Sequence, residues 1–356
     1  MFRGARILVA PLDWGLGHAT RCVPIIRGLI RHGATPIVAA DSGPMALLRA
    51  EFPELEHVRF PGVHIRYGGG NSQLWSMAAQ FPAMLHGIHR ERRHFERLRK
   101  VLRLDAVISD QRFGIRSTEL PSILVTHQVF PFTPAAQHLL RRLNLHHIQQ
   151  FDRCWVMDAP EAPGLAGELS HGPGLPQNAR YIGTCSRIEA TTTVGSGPYR
   201  IVAVISGPEP QRTMLEDRLM ALLPNVPGDH LLVRGLPGRS EPDRVGRIHR
   251  VPHLAAAELA RTMSEAELIV TRSGYTTLMD LEALGRSALI IPTPGQAEQE
   301  YLGRLHALTG RFVVQHQGAI DLRSALDKAT GSFSTERNKP DSGLEQALKE
   351  LADMLH

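Results

Sequence analysis

The chain alternates short runs of aliphatic and β-branched residues with longer stretches whose apolar positions recur at helical spacing. Ile7-Leu8-Val9-Ala10 opens the pattern, a helix is predicted near 19–32, and Pro36-Ile37-Val38-Ala39-Ala40 is the next apolar run. Further strands are predicted at 106–109, 122–125, 153–156 and 179–182, with a helical run over 81–102 ahead of them. A second series begins at Arg200-Ile201-Val202-Ala203-Val204-Ile205 and continues at 230–233, 268–271 and 288–291. Short strands separated by helices pair in parallel and are covered on both faces, so the predicted fold class is α/β with two doubly wound domains.

Between the two series, residues 186–199 are small and polar with no apolar period, the composition of a linker. The predicted division is 1–185, the linker 186–199, 200–330, and a polar segment with a terminal helix over 331–356, the helix itself beginning at 343. A length of 356 residues agrees with two cores. In such a pair the ligand is expected outside the carboxyl ends of the strands, in a cleft that both domains face.

Composition narrows the function classes. The apolar fraction of 42% is ordinary, and no run approaches the roughly 18–20 apolar residues of a membrane span. The first residues lack the apolar length and cleavage site of a secretory signal, so a cytoplasmic location is expected. Cys22, Cys154 and Cys185 are scattered and odd in number, which argues for reduced thiols and against a zinc site. Residues 1–180 hold 21 Arg and Lys against 14 Asp and Glu, leaving 19 and 21 for the remainder. The excess lies largely in 90–100 and at Arg141-Arg142. Without an aromatic RNA-binding signature or a helix-turn-helix, nucleic acid is not the expected partner; an anionic acceptor or membrane surface suits the charge better.

The chemistry-bearing residues follow predicted strands. Asp13-Trp14-Gly15-Leu16-Gly17-His18-Ala19-Thr20-Arg21 joins the first strand to the first helix, where glycine permits close backbone approach and a helix N-terminus offers free N–H groups. His18 is a candidate general base; its plain alternative is a capping or core histidine. Asp110, following a predicted strand, is placed to orient an acceptor or assist His18, or to cap a turn. In the second half, Ser206 and Gly207 end one strand and Arg272, Ser273, Gly274 and Thr276 end another just before a helix, a setting suited to a diphosphate. Ser273 can equally be a helix cap. Glu298 and Gln299, after Pro292-Thr293-Pro294-Gly295, can hydrogen-bond sugar hydroxyls or be solvated first-turn residues. No GxGxxG and acidic partner indicate a dinucleotide, and no Asp-x-Asp indicates a metal, so no cofactor and no metal are expected.

Over 200–310 the order of a strand and Ser-Gly loop, then Leu281-Glu282-Ala283-Leu284-Gly285-Arg286, then Pro292-Thr293-Pro294-Gly295 with Gln299, resembles the C-terminal domain of family 28 glycosyltransferases, the relatives of the peptidoglycan enzyme that adds N-acetylglucosamine to lipid I. The resemblance implies the GT-B architecture of two Rossmann-like domains facing a central cleft. It implies a nucleotide-sugar donor, a UDP-sugar favoured, bound by 200–330, and an acceptor on the side of 1–185. By matching position it implies that Gly15, Gly17, Ser206 and Gly207 line the donor cleft, that Val251 and His253 lie near the nucleobase, and that Ser273 and Gly274 hold the diphosphate. Glu282 would bind the ribose, Glu298 and Gln299 the sugar, and His18 would lie at the acceptor side as the base or as a leaving-group stabiliser. Ser206-Gly207-Pro208 departs from the family's longer glycine-rich loop, and Pro208 lacks an N–H. The segment Gly15-Leu16-Gly17-His18-Ala19-Thr20-Arg21-Cys22 is also similar to the front motif of nucleotide-sugar hydrolases of the same superfamily.

The expected reaction is metal-independent, inverting sugar transfer; a hydrolase using His18 and a non-catalytic nucleotide-sugar-binding protein are the alternatives. The acceptor is expected to be lipid-linked or anionic. Leu74-Trp75-Ser76-Met77 through Leu85 and Val129-Phe130-Pro131-Phe132, next to basic residues, compose an apolar and basic surface for peripheral contact with the inner face of a bilayer, or else a core-facing helix with a solvated charged face.

Overall fold

The computed structural model describes residues 1–13, 15–62, 73–132, 137–188, 197–237, 241–328 and 342–355, without the side chains of 73–85 and 342. Two compact units emerge, Met1–Cys185 with Lys339–His356, and Ser186–Asn338.

The first unit contains β1 Arg6–Ala10, α1 Leu16–Arg31, β2 Thr35–Ala40, α2 Ser42–Glu51, β3 Glu56–Arg59, α3 Gln73–Val101, β4 Ala106–Asp110, β5 Ser122–Thr126, α4 Gln137–Ile148, β6 Arg153–Val156 and β7 Ala179–Tyr181. Its seven strands run in the order β3-β2-β1-β4-β5-β6-β7, every pairing parallel. Ile7 through Ala10 are wholly buried, which is why β1 reads as an unbroken apolar run and not as an alternating one. The chain winds outward from β1 through β2 and β3 and returns beside β1 as β4. The loops leaving β1 and β4 therefore diverge, and this switch point is where an open parallel sheet holds ligands.

The second unit repeats the plan with β8 Ile201–Val204, α5 Gln211–Leu222, β9 His230–Val233, β10 Asp243–Val245, β11 Ile248–Val251, α6 Ala256–Glu265, β12 Leu268–Thr271, α7 Tyr275–Leu284, β13 Leu289–Ile290, α8 Ala297–Leu308, β14 Val313–Val314 and α9 Leu322–Lys328. The order is β10-β11-β9-β8-β12-β13-β14, parallel except for the β10–β11 pair, and the switch point lies between β8 and β12.

Helix α10, Ser342–Asp353, returns to the first unit. Leu344, Ala347, Leu348 and Leu351 are buried, and Glu345 meets Arg31 at 2.8 Å and His32 at 2.5 Å on α1. The ends of the predicted linker are not free spacer. Ser186 donates to Asp280 at 2.5 Å, Arg187 and Ile188 are buried, and Gly197 donates its N–H to the Glu265 carbonyl at 3.2 Å. The middle of the linker, 189–196, and the polar stretch 329–341 lie outside the described residues.

Helix α1 starts at Leu16, earlier than predicted, with Gly15 at φ 146° as its N-cap, so Gly17 and His18 stand in its first turn. The expected apolar docking surface is corrected in part. Val129 and Phe130 are core residues, at 0% and 3% exposure, and the Arg141 guanidinium lies over the Phe130 ring at 4.1 Å. The side chains of 74–85 lie outside the described residues. Among the described residues no helix is long and apolar enough to cross a membrane.

Candidate functional site

At the switch point of the first unit, the first turn of α1 meets the last residue of β4. His18 Nδ1 lies 2.8 Å from Asp110 Oδ2, with the histidine side chain 17% exposed and the carboxylate fully buried. Behind them Arg21, one turn along α1, donates through Nε to both Asp110 oxygens at 3.0 Å and through Nη2 to Oδ1. Arg21 Nη2 also lies 2.8 Å from His18 Nδ1, and Nη1 donates to His127 Nδ1 at 2.9 Å. His127 follows β5, the strand next to β4, and is 4% exposed. Burial pushes the Asp110 carboxyl up, but Arg21 and then His18 outweigh it and hold it below the usual carboxylate range. Burial first, and then the Arg21 cation, hold the His18 imidazole below its ordinary value against the opposing pull of Asp110. His18 is thus an uncharged imidazole near neutral pH. Nδ1 faces the protein, and Nε2 has no protein partner among the described residues.

The loop carrying this turn is pinned from beneath. Asp13 accepts from the Asp41 N–H at 3.1 Å and the Gly62 N–H at 2.7 Å, and lies 3.7 Å from the fully buried Arg112. Arg112 in turn bonds Glu91 at 2.8 Å and the Phe60 carbonyl at 3.1 Å. Asp13, between β1 and α1, is thereby tied to the ends of β2, β3 and β4.

At the switch point of the second unit, Ser206 and Gly207 follow β8, Gly207 exposed with φ 118°. Beside them β12 ends at Arg272-Ser273-Gly274, and Gly274 is the N-cap of α7, which has no side-chain cap. Ser273 is not a helix cap. It is fully buried and its hydroxyl donates to the Gln299 carbonyl at 2.7 Å, and α7 has no side-chain cap. Thr276 is half-buried in that first turn.

Several predicted donor contacts change meaning. Arg272 is fully buried. Its guanidinium donates to the Ile291 and Pro292 carbonyls at 3.3 Å and to the Gln211 carbonyl at 2.7 Å, so it stitches neighbouring segments together. Gln299 is likewise buried and clasps its own loop, its Oε1 accepting from the N–H and hydroxyl of Thr293 at 2.9 Å. Glu298 is half-buried at the start of α8. Glu282, expected at a ribose, is ion-paired at 2.9 Å with Arg311, which precedes β14 at the amino end of the sheet. The carboxylate on the inward face is Asp280, two residues earlier and therefore about 200° around the helix. Asp280 accepts from Ser186, and burial, against the pull of Arg187, raises it to about 6. Burial and then the Arg187 cation lower His253 to about 4, so Arg187 acts on both groups. Val251 ends β11, and its side chain, with Tyr199, Leu231 and Leu254, lines a cavity of about 160 Å³ against α6.

Sequence reading did not single out Arg187, Asp280 or His127. His127 directly follows a predicted strand and obeys the rule that found Asp110; Arg187 was hidden inside the linker. Among the described residues no group of three His, Cys, Asp or Glu side chains gathers as a metal site would.

Comparison with known proteins agrees with this layout. The model of the glycosyltransferase family 28 C-terminal domain matches residues 255–323, from the start of α6 through α8 and into α9. The spinosyn rhamnosyltransferase SpnG has a similar structure at 18% identity and TM-score 0.60, covering 98% of this chain and 96% of its own. SpnG complexed with thymidine diphosphate is similar at 17% identity and TM-score 0.57, with coverage of 98% and 96%. MurG of Acinetobacter baumannii is similar at 14% identity and TM-score 0.50, with coverage of 99% and 94%. The fold is the GT-B arrangement of two Rossmann-like α/β units. On it, residues 255–323 are similar to the family 28 glycosyltransferase C-terminal domain.

Proposed function

We propose that the chain transfers a sugar from a nucleoside diphosphate donor, a UDP-sugar favoured, to an acceptor hydroxyl, with inversion and without a metal. The observation that carries this reading is a buried positive charge that no carboxylate balances among the described residues. Arg272 is fully enclosed and among the described residues bonds only carbonyl oxygens and meets no carboxylate, directly behind the N-terminus of α7, which has no side-chain cap. A charge in that position favours an anion at the α7 N–H groups, and the diphosphate supplies it. Gly274 stands at that N-terminus, Ser206 and Gly207 flank the same switch point, and Asp280 with Arg187 and His253 forms the polar cluster for the nucleoside. SpnG is known in complex with thymidine diphosphate, which agrees with a nucleoside diphosphate as ligand.

In this reading His18 Nε2 takes the proton from the attacking hydroxyl while Asp110 holds the ring. The leaving diphosphate gains charge at the α7 N-terminus, where fixed dipoles stabilise it. The test is to incubate the chain with a panel of nucleotide sugars and an acceptor extract and to follow donor and product by chromatography. Donor consumption with a glycosylated product, lost by about 100-fold or more in His18→Ala, is expected. Donor loss without such a product would refute transfer. It would favour the hydrolytic reading, because an imidazole nitrogen without a protein partner activates water as readily as a hydroxyl. Chelation should leave turnover unchanged.

The acceptor in this reading is lipid-linked or anionic. Arg90, Arg93, Arg97 and Lys100 are exposed along one flank of α3, and they support contact with an anionic surface. Flotation with vesicles of phosphatidylglycerol, abolished by high salt, is the expected result; equal recovery with neutral vesicles would exclude the electrostatic contact.

A further inference from the structure

Arg21 is 2% exposed and spends its guanidinium on three side chains of the His18 site: Asp110, His18 itself and His127. A carboxylate beside an imidazole normally favours the charged ring, and a ring already protonated at neutral pH cannot accept a proton. Here the carboxylate is not alone. Arg21 meets both of its oxygens, so the Arg21–Asp110 pair carries no net charge next to His18.

The contacts at Nδ1 also select a tautomer. Asp110 Oδ2 and Arg21 Nη2 both stand 2.8 Å from it. The carboxylate can only accept and the guanidinium can only donate. A bare Nδ1 would set its lone pair against the carboxylate, whereas Arg21 Nη2 already has an acceptor in Oδ1. The proton therefore belongs on Nδ1, donated to Asp110, and Nε2 keeps its lone pair.

We propose, resting on the reading of His18 as the base, that Arg21 is the positioning residue of this site: by neutralising Asp110 it lets the carboxylate orient the ring without charging it. Among the described residues the groups that act on His18 are Arg21 on α1, Asp110 at the end of β4 and His127 after β5, with Cys22 next to Arg21 in the chain. The Cys22 thiol, pushed well above its ordinary value by burial and then by Asp110, stays neutral. His127 when charged acts in the same direction as Arg21.

The experiment is a histidine titration by long-range ¹H–¹⁵N NMR on the full chain, deuterated and labelled at histidine, with His18 assigned through His18→Gln. In the wild type the His18 midpoint should lie below 6.5, the ordinary imidazole value, with the proton on Nδ1 at pH 7.5. Arg21→Gln should move the midpoint up, because Asp110 then acts uncompensated. Arg21→Lys should hold it near the wild-type position, and Asp110→Asn should move it down. A folded Arg21→Gln with an unchanged midpoint would overturn the proposal, as would an Nε2 proton in the wild type. Should Arg21→Gln fail to fold, an Asp110→Asn midpoint that does not fall would overturn it as well. No donor or acceptor enters the measurement. Failure of every nucleotide sugar to react would refute the proposed reaction and leave the titration intact.

Discussion

Removing the Asp110 carboxylate should destabilise the first unit severely. Asp110 is fully buried at the end of β4 and is the counter-charge of Arg21, itself 2% exposed. Asp110→Ala deletes the acceptor for Nε and Nη2 together and leaves a buried cation facing two histidines. Breaking one partner of a buried pair costs about 3–5 kcal/mol, because the remaining charge cannot regain its hydration. For a unit of this size each kcal/mol lowers the melting temperature by about 2–4 °C, so a fall of roughly 6–20 °C is expected. Differential scanning calorimetry is the suitable assay, since two units need not melt as one transition. Asp110→Asn should cost less, because its amide oxygen still accepts from Nε. A transition of Asp110→Ala within about 2 °C of the wild type would refute the assignment of Asp110 as Arg21's counter-charge.

Three further outcomes follow from the packing. Gly114→Ala should cost about 1–3 kcal/mol by denaturation, since a Cβ there would stand 2.5 Å from the Ile88 carbonyl and 2.6 Å from Glu91 Cβ; an unchanged midpoint would show that α3 moves aside freely. Gln299→Ala should weaken nucleotide-dependent thermal stabilisation, because it frees Thr293 from the loop that Ser273 also grips; equal stabilisation by nucleoside diphosphate in both proteins would contradict this. Asp280 is raised from 3.8 to about 6 by burial, so its folded form holds the proton more tightly than the unfolded chain. That contribution is fully present below 3.8 and lost as pH rises through 6. Asp280→Asn should therefore be more stable than the wild type at pH 8, by up to roughly 3 kcal/mol, with the gain shrinking towards pH 5; a gain that does not depend on pH would exclude burial of the charge as its cause.

The sequence by itself determined the parts of this protein that rest on local periodicity. β1, β4, β5, β8 and β12 are continuous apolar runs because both faces of a parallel strand are covered, and such runs are visible without a structure. The carboxyl ends of these strands carry Asp110, Ser206 and Ser273, with His18 in the helix turn that follows β1, the end at which an open parallel sheet holds ligands. Less was legible where packing overrides pattern. β3 is a polar edge strand, Glu56-His57-Val58-Arg59, and β13 and β14 have two residues each, too few to show a period.

Only the tertiary structure decided which side of a residue faces inward and what it meets there. Arg272 and Gln299 have the polarity of ligand contacts, yet both are buried and hold loops together. Asp280 and Glu282 are two residues apart on α7, and only the packing around that helix turns Asp280 towards Ser186 and Arg187 and Glu282 towards Arg311. Residues 18, 21, 110 and 127 are separated by up to 109 positions in the chain. Sequence placed His18 and Asp110 each after a strand, but the charge balance among the four groups exists only once β1, β4 and β5 lie side by side.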